Sequence, residues 1–470
     1  MEKLTRCLRR QYLSLLCMFA PLSPAYCWQP PSDSCTLLKT ADYQTPFCQN
    51  QYQQVLKFTA HVFNPQNQNV LRGQSLGGVI GIYQRSNDQE QICYVSCGLR
   101  HLNGRGPNEY TLFELASITK TFTASVLATL IHTQRLKPGD AVAPLLPRDF
   151  ALTAKESAVT LQQLATFAGG VCFSNAPDVN LQSGNQILNQ ARFAMDVNQL
   201  DPSLNRCMGR PHARPKLKSV YATPLPTYNY YSNSSIGLLA QALMNYDAFP
   251  NTLEGSFNGW ICKNITNVLA MQHTNACLPY QARSGRCPTN VAPNGGACDT
   301  RPWRNAEYSA GYHIKNNHYQ QGKPFPFIPW AGAGALRSNA SDMIKFIRAN
   351  LGFSTSNDRQ QLALIQGMQL AHTAGNYLPA PPGESAKPNF GNQAPLKGRQ
   401  GYAWVCQMVQ GNRICGKIGG HTNFRSFVGF SQSKHYGVIV LLNTGSGGNN
   451  GLVKIPTVSQ IGVNLIKNAP

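Results

Sequence analysis

A serine and a lysine separated by one helical turn are the residues of this chain best suited to chemistry. Ser117 and Lys120 lie within residues 113–124, and a helix there would place both side chains on one face. A serine hydroxyl becomes a good nucleophile when a base takes its proton, and a desolvated lysine amine is such a base. Apolar residues continue at helical spacing, which predicts a buried helix: Phe122, Val126, Leu127, Leu130 and Ile131. Taken alone, the pair also fits an ordinary core helix with a surface lysine.

Two further motifs contain residue types that can act with this pair. Tyr231 and Asn233 precede a predicted helix. A tyrosine near a lysine ammonium can have its pKa lowered enough to act as a general base, and an asparagine amide can orient a lysine or a substrate. A structural interpretation remains open, in which the tyrosine is buried and the asparagine caps the helix.

The other motif is Lys417-Ile418-Gly419-Gly420-His421, on a predicted strand. The edge of a strand can offer a backbone N–H as an oxyanion donor, and Lys417 can attract a substrate carboxylate. In isolation, the motif also fits a solvated lysine at the end of a strand.

The elements that would position these motifs are strands at both ends of the chain and helices between them. Strands are predicted at 77–83, 91–97, 402–409, 413–418, 425–430 and 436–442, and helices near 55–63, 341–350 and 458–466. The predicted fold is α+β, an α/β sandwich whose antiparallel sheet is built from both chain ends and flanked by helices. We assign a domain over 55–467, with a sheet lobe at 55–112 and 336–467 and a mostly helical lobe at 113–335. Ser341 and Asp342 are predicted to cap the helix at 341–350.

The N-terminal residues are typical of an exported protein. Residues 1–25 combine a basic start, a short apolar segment and small residues at a cleavage position, which predicts a secretory signal. Residues 26–54 are interpreted as a tethered arm. We therefore expect a periplasmic or secreted protein with no stable membrane span after signal removal.

The fifteen cysteines also fit an oxidising compartment. Two of them lie in the predicted signal, so thirteen remain and at least one thiol is expected to be unpaired. Cys406 and Cys415 flank a predicted turn at Gln410 and would face each other across a hairpin. Segment 272–304 contains three cysteines among Pro, Gly and Asn residues and is predicted to be a surface insertion held by disulfides. The cysteine spacings do not match a zinc site, so no metal is expected.

The charge balance is strongly basic, with 41 Lys and Arg against 20 Asp and Glu and a net charge of +21. These positive residues are scattered rather than interleaved with aromatic residues, so we do not expect nucleic-acid binding. Attraction to an anionic envelope or substrate is the favoured interpretation. A monomer is expected.

The three motifs, in this order, resemble the serine β-lactamase and penicillin-binding-protein superfamily, and class C β-lactamases most closely. Phe113-Glu-Leu and Thr121-Phe-Thr flank the serine as they do in that family. Residues 136–140, 164–170 and 333–346 resemble further segments of it, and the resemblance covers about residues 75–467. It implies a β-lactamase/transpeptidase-like fold.

The resemblance also implies a role for each site residue. Ser117 would be the nucleophile, Lys120 would receive its proton, Tyr231 would relay the proton and activate water, and Asn233 would orient the set. Lys417 would bind the substrate carboxylate and hold Tyr231 polarised.

The N–H groups of Ser117 and Gly420 would form the oxyanion hole, and the remaining substrate-side positions would be Gly419, His421 and Asn443. His421 is expected to pack or hydrogen-bond near the rim rather than act as a base. The chemistry would be two-step acyl transfer without a metal or organic cofactor.

Departures from the family pattern leave the substrate open. Ile418 replaces a hydroxyl residue that helps to hold the substrate carboxylate, and residues 171–174 replace a segment that carries a glutamine. The alternatives are a β-lactamase, a D-alanyl-D-alanine carboxypeptidase or esterase, and a non-catalytic module that binds penicillin or peptidoglycan. The intact proton-transfer residues disfavour the third. The expected partner is a small-molecule or peptidoglycan-like acyl substrate.

Overall fold

A computed structural model describes residues 35–146, 158–169, 231–249, 253–279, 283, 301–304, 306–325, 331–373, 399–445 and 455–470. The predicted signal at 1–25 and the segment at 171–174 lie outside these residues, as do Cys287 and Cys298 of the predicted insertion. Residues Ser34–Pro470 form one compact unit.

One large antiparallel sheet and two short strand pairs make up the β-structure of the described residues. In chain order, the strands are β1 (Cys35–Leu37), β2 (Gly77–Ser86), β3 (Gln89–Gly98), β4 (Phe113–Glu114), β5 (Tyr312–Lys315), β6 (His318–Gln321), β7 (Arg337–Ser338), β8 (Arg399–Gln400), β9 (Val405–Val409), β10 (Asn412–Gly420), β11 (Arg425–Ser431) and β12 (Tyr436–Leu442). Eight of them form the large sheet in the order β1-β3-β2-β12-β11-β10-β9-β8. Strands β4 and β7 pair with each other, as do β5 and β6. The predicted sheet built from both chain ends is confirmed.

The described α-helices are α1 (Pro46–Phe58), α2 (Thr119–His132), α3 (Leu161–Ala165), α4 (Asn233–Tyr246), α5 (Leu253–Ile261), α6 (Arg301–Arg304), α7 (Ala331–Gly334), α8 (Ala340–Asn350), α9 (Arg359–Thr373) and α10 (Val458–Lys467). None of the helices among the described residues is long and apolar enough to cross a membrane.

Helices cover both faces of the sheet, which explains why its central strands are buried throughout. A side chain at Gly429 of β11 would contact Ile466 of α10, whereas one at Gly437 of β12 would contact Ile347 of α8. Every residue of β11 and β12 is buried. Because water reaches neither face, β12 and the middle of β11 lack the alternation of polar and apolar residues seen in half-exposed sheets.

The N-terminal segment belongs to the sheet lobe more fully than the predicted arm at 26–54 implies. Strand β1 pairs with β3 at the edge of the sheet, and helix α1 spans the predicted boundary at residue 54. Disulfides join Cys35 to Cys97 and Cys48 to Cys93, so both elements are covalently tied to β3. The helix begins after Thr45, whose side chain accepts a hydrogen bond from Cys48 N.

Other local predictions have mixed outcomes. Cys406 and Cys415 lie opposite each other in the β9–β10 hairpin and form a disulfide, as predicted. The predicted cap of α8 is wrong, because Asn339 rather than Ser341 or Asp342 accepts the hydrogen bond at its start. The described part of segment 272–304 has both exposed residues, such as Gln272 and Arg304, and buried ones, such as Cys277 and Trp303, so its assignment as a surface insertion stays a prediction.

Candidate active site

Ser117 lies in a 3₁₀ turn, Ala116–Ile118, at the start of the buried helix α2. The residue before it, Ala116, has a φ of 47°, a left-handed conformation that is unfavourable for a residue with a Cβ. Two hydrogen bonds hold the preceding residue in place: Leu115 N donates to Leu336 O at 2.9 Å, and Ser426 Oγ donates to Leu115 O at 2.8 Å. The turn that presents the serine is therefore fixed by two other parts of the chain.

Lys120 lies one turn further along, with its Nζ 3.0 Å from Ser117 Oγ. The same Nζ donates to the backbone oxygen of Ala333 at 2.6 Å. The side chain is completely buried, and burial, together with the nearby charge of Lys417, lowers the pKa of Lys120 well below its usual value. A neutral amine in this position can accept the serine proton.

Tyr231 donates its hydroxyl hydrogen to Ser117 Oγ at 2.7 Å. It immediately precedes Ser232, the N-cap of α4, and the centroid of its ring lies 5.0 Å from that of Phe167. Burial raises the pKa of Tyr231 above its usual value. The predicted lowering of this pKa is therefore wrong, since the desolvation of the phenolate outweighs the hydrogen bond with Ser117. The phenol is a neutral donor, and Lys120 is the better base.

Lys417 approaches the other side of the site from strand β10. Its Nζ lies 4.4 Å from the centroid of the Tyr231 ring, while that of Lys120 lies 5.1 Å from the same centroid. Burial lowers the pKa of Lys417 to about 7. A substrate carboxylate at this place would favour the charged form of Lys417 and gain a desolvated ionic contact.

Gly420 has the backbone orientation that an oxyanion donor requires. Strand β9 pairs with β10 only as far as Gly416, and His421 N donates to Phe424 O toward β11. Successive N–H groups along a strand point in alternate directions, so the N–H of Gly420 points away from β11. It faces the side of β10 on which no described strand pairs with residues after Gly416. A side chain at Gly419 would collide with the Leu115 oxygen, so glycine allows β10 to approach the nucleophile turn closely.

The remaining predicted residues differ in placement. Asn233 is the first residue of α4 and is partly exposed, two positions after Tyr231. Asn443 is fully buried: its Oδ1 accepts from Gly77 N at 2.8 Å, and its Nδ2 donates to Leu99 O at 2.9 Å. Its amide holds strand ends together instead of facing a substrate. The side chain of His421 contacts Glu114, with 2.6 Å between Nε2 and Oε2.

Glu114 and Arg337 are site neighbours to which the sequence motifs assigned no role. They face each other across β4 and β7, and Arg337 Nη2 donates to Glu114 Oε1 at 2.8 Å. Burial opposes ionisation of Glu114, but Arg337 and His421 outweigh it and lower the pKa of the carboxyl below its usual value. Glu114 stands in the family-like segment before Ser117, but its distant partners were not visible in the sequence.

Comparisons with known proteins concern the family and the fold of the chain. Residues 72–460 match the family model described as Beta-lactamase. A class C β-lactamase structure superposes with a TM-score of 0.59 at 16% identity, covering 90% of this chain and 97% of that one. A class C β-lactamase from Rhodobacter sphaeroides gives 0.54 at 17% identity, covering 89% and 98%. A β-lactamase/D-alanine carboxypeptidase from Pseudomonas syringae gives 0.58 at 18% identity, covering 90% and 99%.

Proposed function

The chain is a member of the β-lactamase family, and we propose that it is a serine hydrolase that opens a β-lactam amide through an acyl-enzyme on Ser117. One observation carries the proposal. Ser117 Oγ lies within hydrogen-bonding distance of both a buried amine, at 3.0 Å, and a buried phenol, at 2.7 Å. Such a hydroxyl can lose its proton as it attacks a carbonyl carbon.

In acylation, Ser117 Oγ bonds to the carbonyl carbon while its proton passes to the neutral Lys120 amine. The carbon–nitrogen bond of the substrate then breaks, and the proton reaches the leaving nitrogen by way of the Tyr231 hydroxyl. The negative charge on the carbonyl oxygen is stabilised by the N–H groups of Ser117 and Gly420. Each group returns to its starting protonation state after the transfer.

In deacylation, water attacks the ester carbon, and its proton passes to Lys120 through Tyr231. Serine leaves as the ester bond breaks and recovers a proton from the same lysine. Asn233 orients the lysine or the substrate amide, and Lys417 attracts a substrate carboxylate. No metal or organic cofactor takes part in this sequence of steps.

A second function is a D-alanyl-D-alanine carboxypeptidase or esterase that uses the same nucleophile. Ile418 favours the esterase in particular, because this residue has an aliphatic side chain where the resembling family has a hydroxyl for the substrate carboxylate, which a neutral ester does not need. One structural relative is itself described as both a β-lactamase and a D-alanine carboxypeptidase. A non-catalytic binding module is disfavoured, since binding alone has no need for the Lys120–Ser117–Tyr231 contacts.

The proposal includes export to the periplasm or the medium. Three disulfides join described cysteines, Cys35–Cys97, Cys48–Cys93 and Cys406–Cys415, and such bonds persist mainly in oxidising compartments. Cleavage after the predicted signal can be checked by N-terminal sequencing of the protein purified from its native host. An N terminus at residue 1 would contradict export by this signal.

The acyl-enzyme is tested directly by intact-protein mass spectrometry after a brief incubation with a penicillin or a fluorophosphonate. A mass increase equal to one acyl or phosphonyl group, located on Ser117 by peptide mapping and absent from Ser117→Ala, is expected. Labelling of another residue, or no labelling by either reagent, would contradict the assigned nucleophile.

A further inference from the structure

The carboxylate of Glu114 contacts three residues that are distant from it in the chain, Arg337, Phe325 and His421. One oxygen, Oε1, accepts from Arg337 Nη2 at 2.8 Å and from Phe325 N at 3.2 Å. The other, Oε2, lies 2.6 Å from His421 Nε2. The side chains of Glu114 and His421 are only 5% and 7% exposed, so water does not screen this contact effectively.

The tautomer of His421 follows from its second ring nitrogen. Asn423 N donates to Nδ1 at 3.3 Å, which requires a lone pair on that nitrogen. In the neutral ring, the hydrogen is therefore on Nε2, the nitrogen that lies 2.6 Å from Glu114 Oε2. Phe325 and Phe424 pack near the imidazole ring at 5.5 and 5.6 Å, so the ring is also held by packing.

Glu114 and His421 each lie close in sequence to a residue whose N–H is a proposed oxyanion donor. Glu114 is three residues before Ser117, and His421 directly follows Gly420. The contact between Glu114 and His421 thus joins the backbone that carries the Ser117 N–H to the backbone that carries the Gly420 N–H. The hydrogen bond from Ser426 Oγ to Leu115 O joins the same two regions from the neighbouring strand.

We propose that Glu114 and His421 are positioning residues that fix the separation of the Ser117 and Gly420 N–H groups. This inference rests on the proposed function, because it assigns the contact to the transition state of acyl transfer. Arg337 supports it by holding the carboxylate in its charged form and in one orientation. An oxyanion hole is effective only when its donors are already in place, so a small increase in their separation should lower kcat more than it raises KM.

His421→Ala is the principal test, because it removes the link and leaves the Glu114–Arg337 ion pair intact. We expect kcat to fall by about 10- to 100-fold with KM within about threefold of the wild type. His421→Gln keeps an amide donor that can reach Glu114 and should recover kcat to within about threefold of the wild type. Glu114→Gln should lower kcat as His421→Ala does, and the double variant should lose little more than either one.

Asp247→Asn is the matched control, since it neutralises another buried carboxylate, which accepts from Trp260 Nε1 at 2.8 Å beyond the far end of α4. It should reduce stability but leave kcat within about twofold of the wild type. If His421→Ala retained wild-type kcat, or if His421→Gln were no better than His421→Ala, the positioning role would be overturned.

Crystal structures of the wild type and His421→Ala separate this inference from the proposed function. If the wild type turns over no acyl substrate, the proposed function fails while the structural claim can still be measured. We expect a greater separation of Ser117 N from Gly420 N in His421→Ala than in the wild type and Asp247→Asn. An unchanged separation would overturn the inference whatever the activity.

Discussion

Lys417 lies over the ring of Tyr231, with its Nζ 4.4 Å from the ring centroid, and both residues are buried. Lys120 approaches the same ring, and Lys120 and Tyr231 both contact the Ser117 hydroxyl, so two buried amines flank one buried phenol. Two adjacent ammonium groups would repel each other and would both lose hydration. The site therefore favours neutral Lys120, ready to accept a proton, beside a Lys417 that becomes charged when an anion binds.

Replacing Lys120 by alanine should abolish most acylation, because no other buried base contacts Ser117 among the described residues. We expect the rate constant for acylation by a chromogenic cephalosporin to fall by about 10³-fold or more in stopped-flow measurements. Lys137→Ala, which removes an exposed lysine in the loop after α2, is the control and should keep the wild-type rate. A Lys120→Ala rate within tenfold of the wild type would contradict the role of Lys120 as the base.

Tyr231→Phe should show that the phenol and Lys120 act as a unit. The single variant is expected to lose about 10²- to 10³-fold in acylation rate, since the proton no longer reaches the leaving nitrogen. Combined with Lys120→Ala, the loss should be much smaller than the product of the two single losses. Losses that multiply in the double-mutant cycle would indicate separate roles instead of a common proton path.

Lys417 should make both stability and substrate binding depend on pH. Its pKa is about 7 in the folded chain and higher in the unfolded chain, so the unfolded state binds more protons above pH 7. The free energy of unfolding should then rise with pH above about 7, by up to about 1.4 kcal/mol per pH unit from this group. Chemical denaturation of the wild type and Lys417→Met at several pH values isolates this contribution as the difference between their slopes, because the lowered pKa of Lys120 adds to the slope of both proteins.

For substrate binding the pH effect has the opposite direction. Protonated Lys417 attracts a carboxylate, so the KM of a carboxylate-bearing substrate should increase as the pH rises above about 7. A neutral ester substrate should show no such increase. The same KM profile for both substrates would exclude Lys417 as the carboxylate site.

Ile418→Thr should strengthen recognition of a carboxylate by supplying a hydroxyl at the partly buried position beside Lys417. We expect KM for a penicillin to fall by about threefold to tenfold, the value of one typical hydrogen bond. Ile418→Val is the matched control, because it has nearly the shape of threonine without the oxygen. Equal KM values for the two variants would show that shape, and not the hydroxyl, determines binding at this position.

The strands and the nucleophile helix could be predicted because their apolar patterns are strong. Residues 436–442 contain almost only large apolar residues and form β12 as predicted, and the helix after Ser117 is buried along its length. Helix α1 begins earlier than its pattern predicts, since it is rich in glutamine and buries only Cys48, Gln51 and Val55, which is a weak periodic signal.

The site was predicted less completely, because its contacts join residues far apart in the chain. Tyr231 lies 114 positions from Ser117, and only the resemblance to a family brought them together. The sign of the Tyr231 pKa shift depends on burial, which a motif does not give. Asn443 matched a substrate-side position, but its amide bonds to backbone groups at Gly77 and Leu99 that no local pattern reveals.

Steady-state turnover of a chromogenic cephalosporin by the purified mature chain, measured beside Ser117→Ala, tests the proposed function most directly. The expected result is many turnovers per Ser117, with no turnover by the variant. A single stoichiometric burst that then stalls would contradict the β-lactamase proposal and favour the carboxypeptidase or esterase, to be measured with D-alanyl-D-alanine peptides and esters. No signal from the wild type with any of these substrates would contradict catalysis by Ser117 altogether.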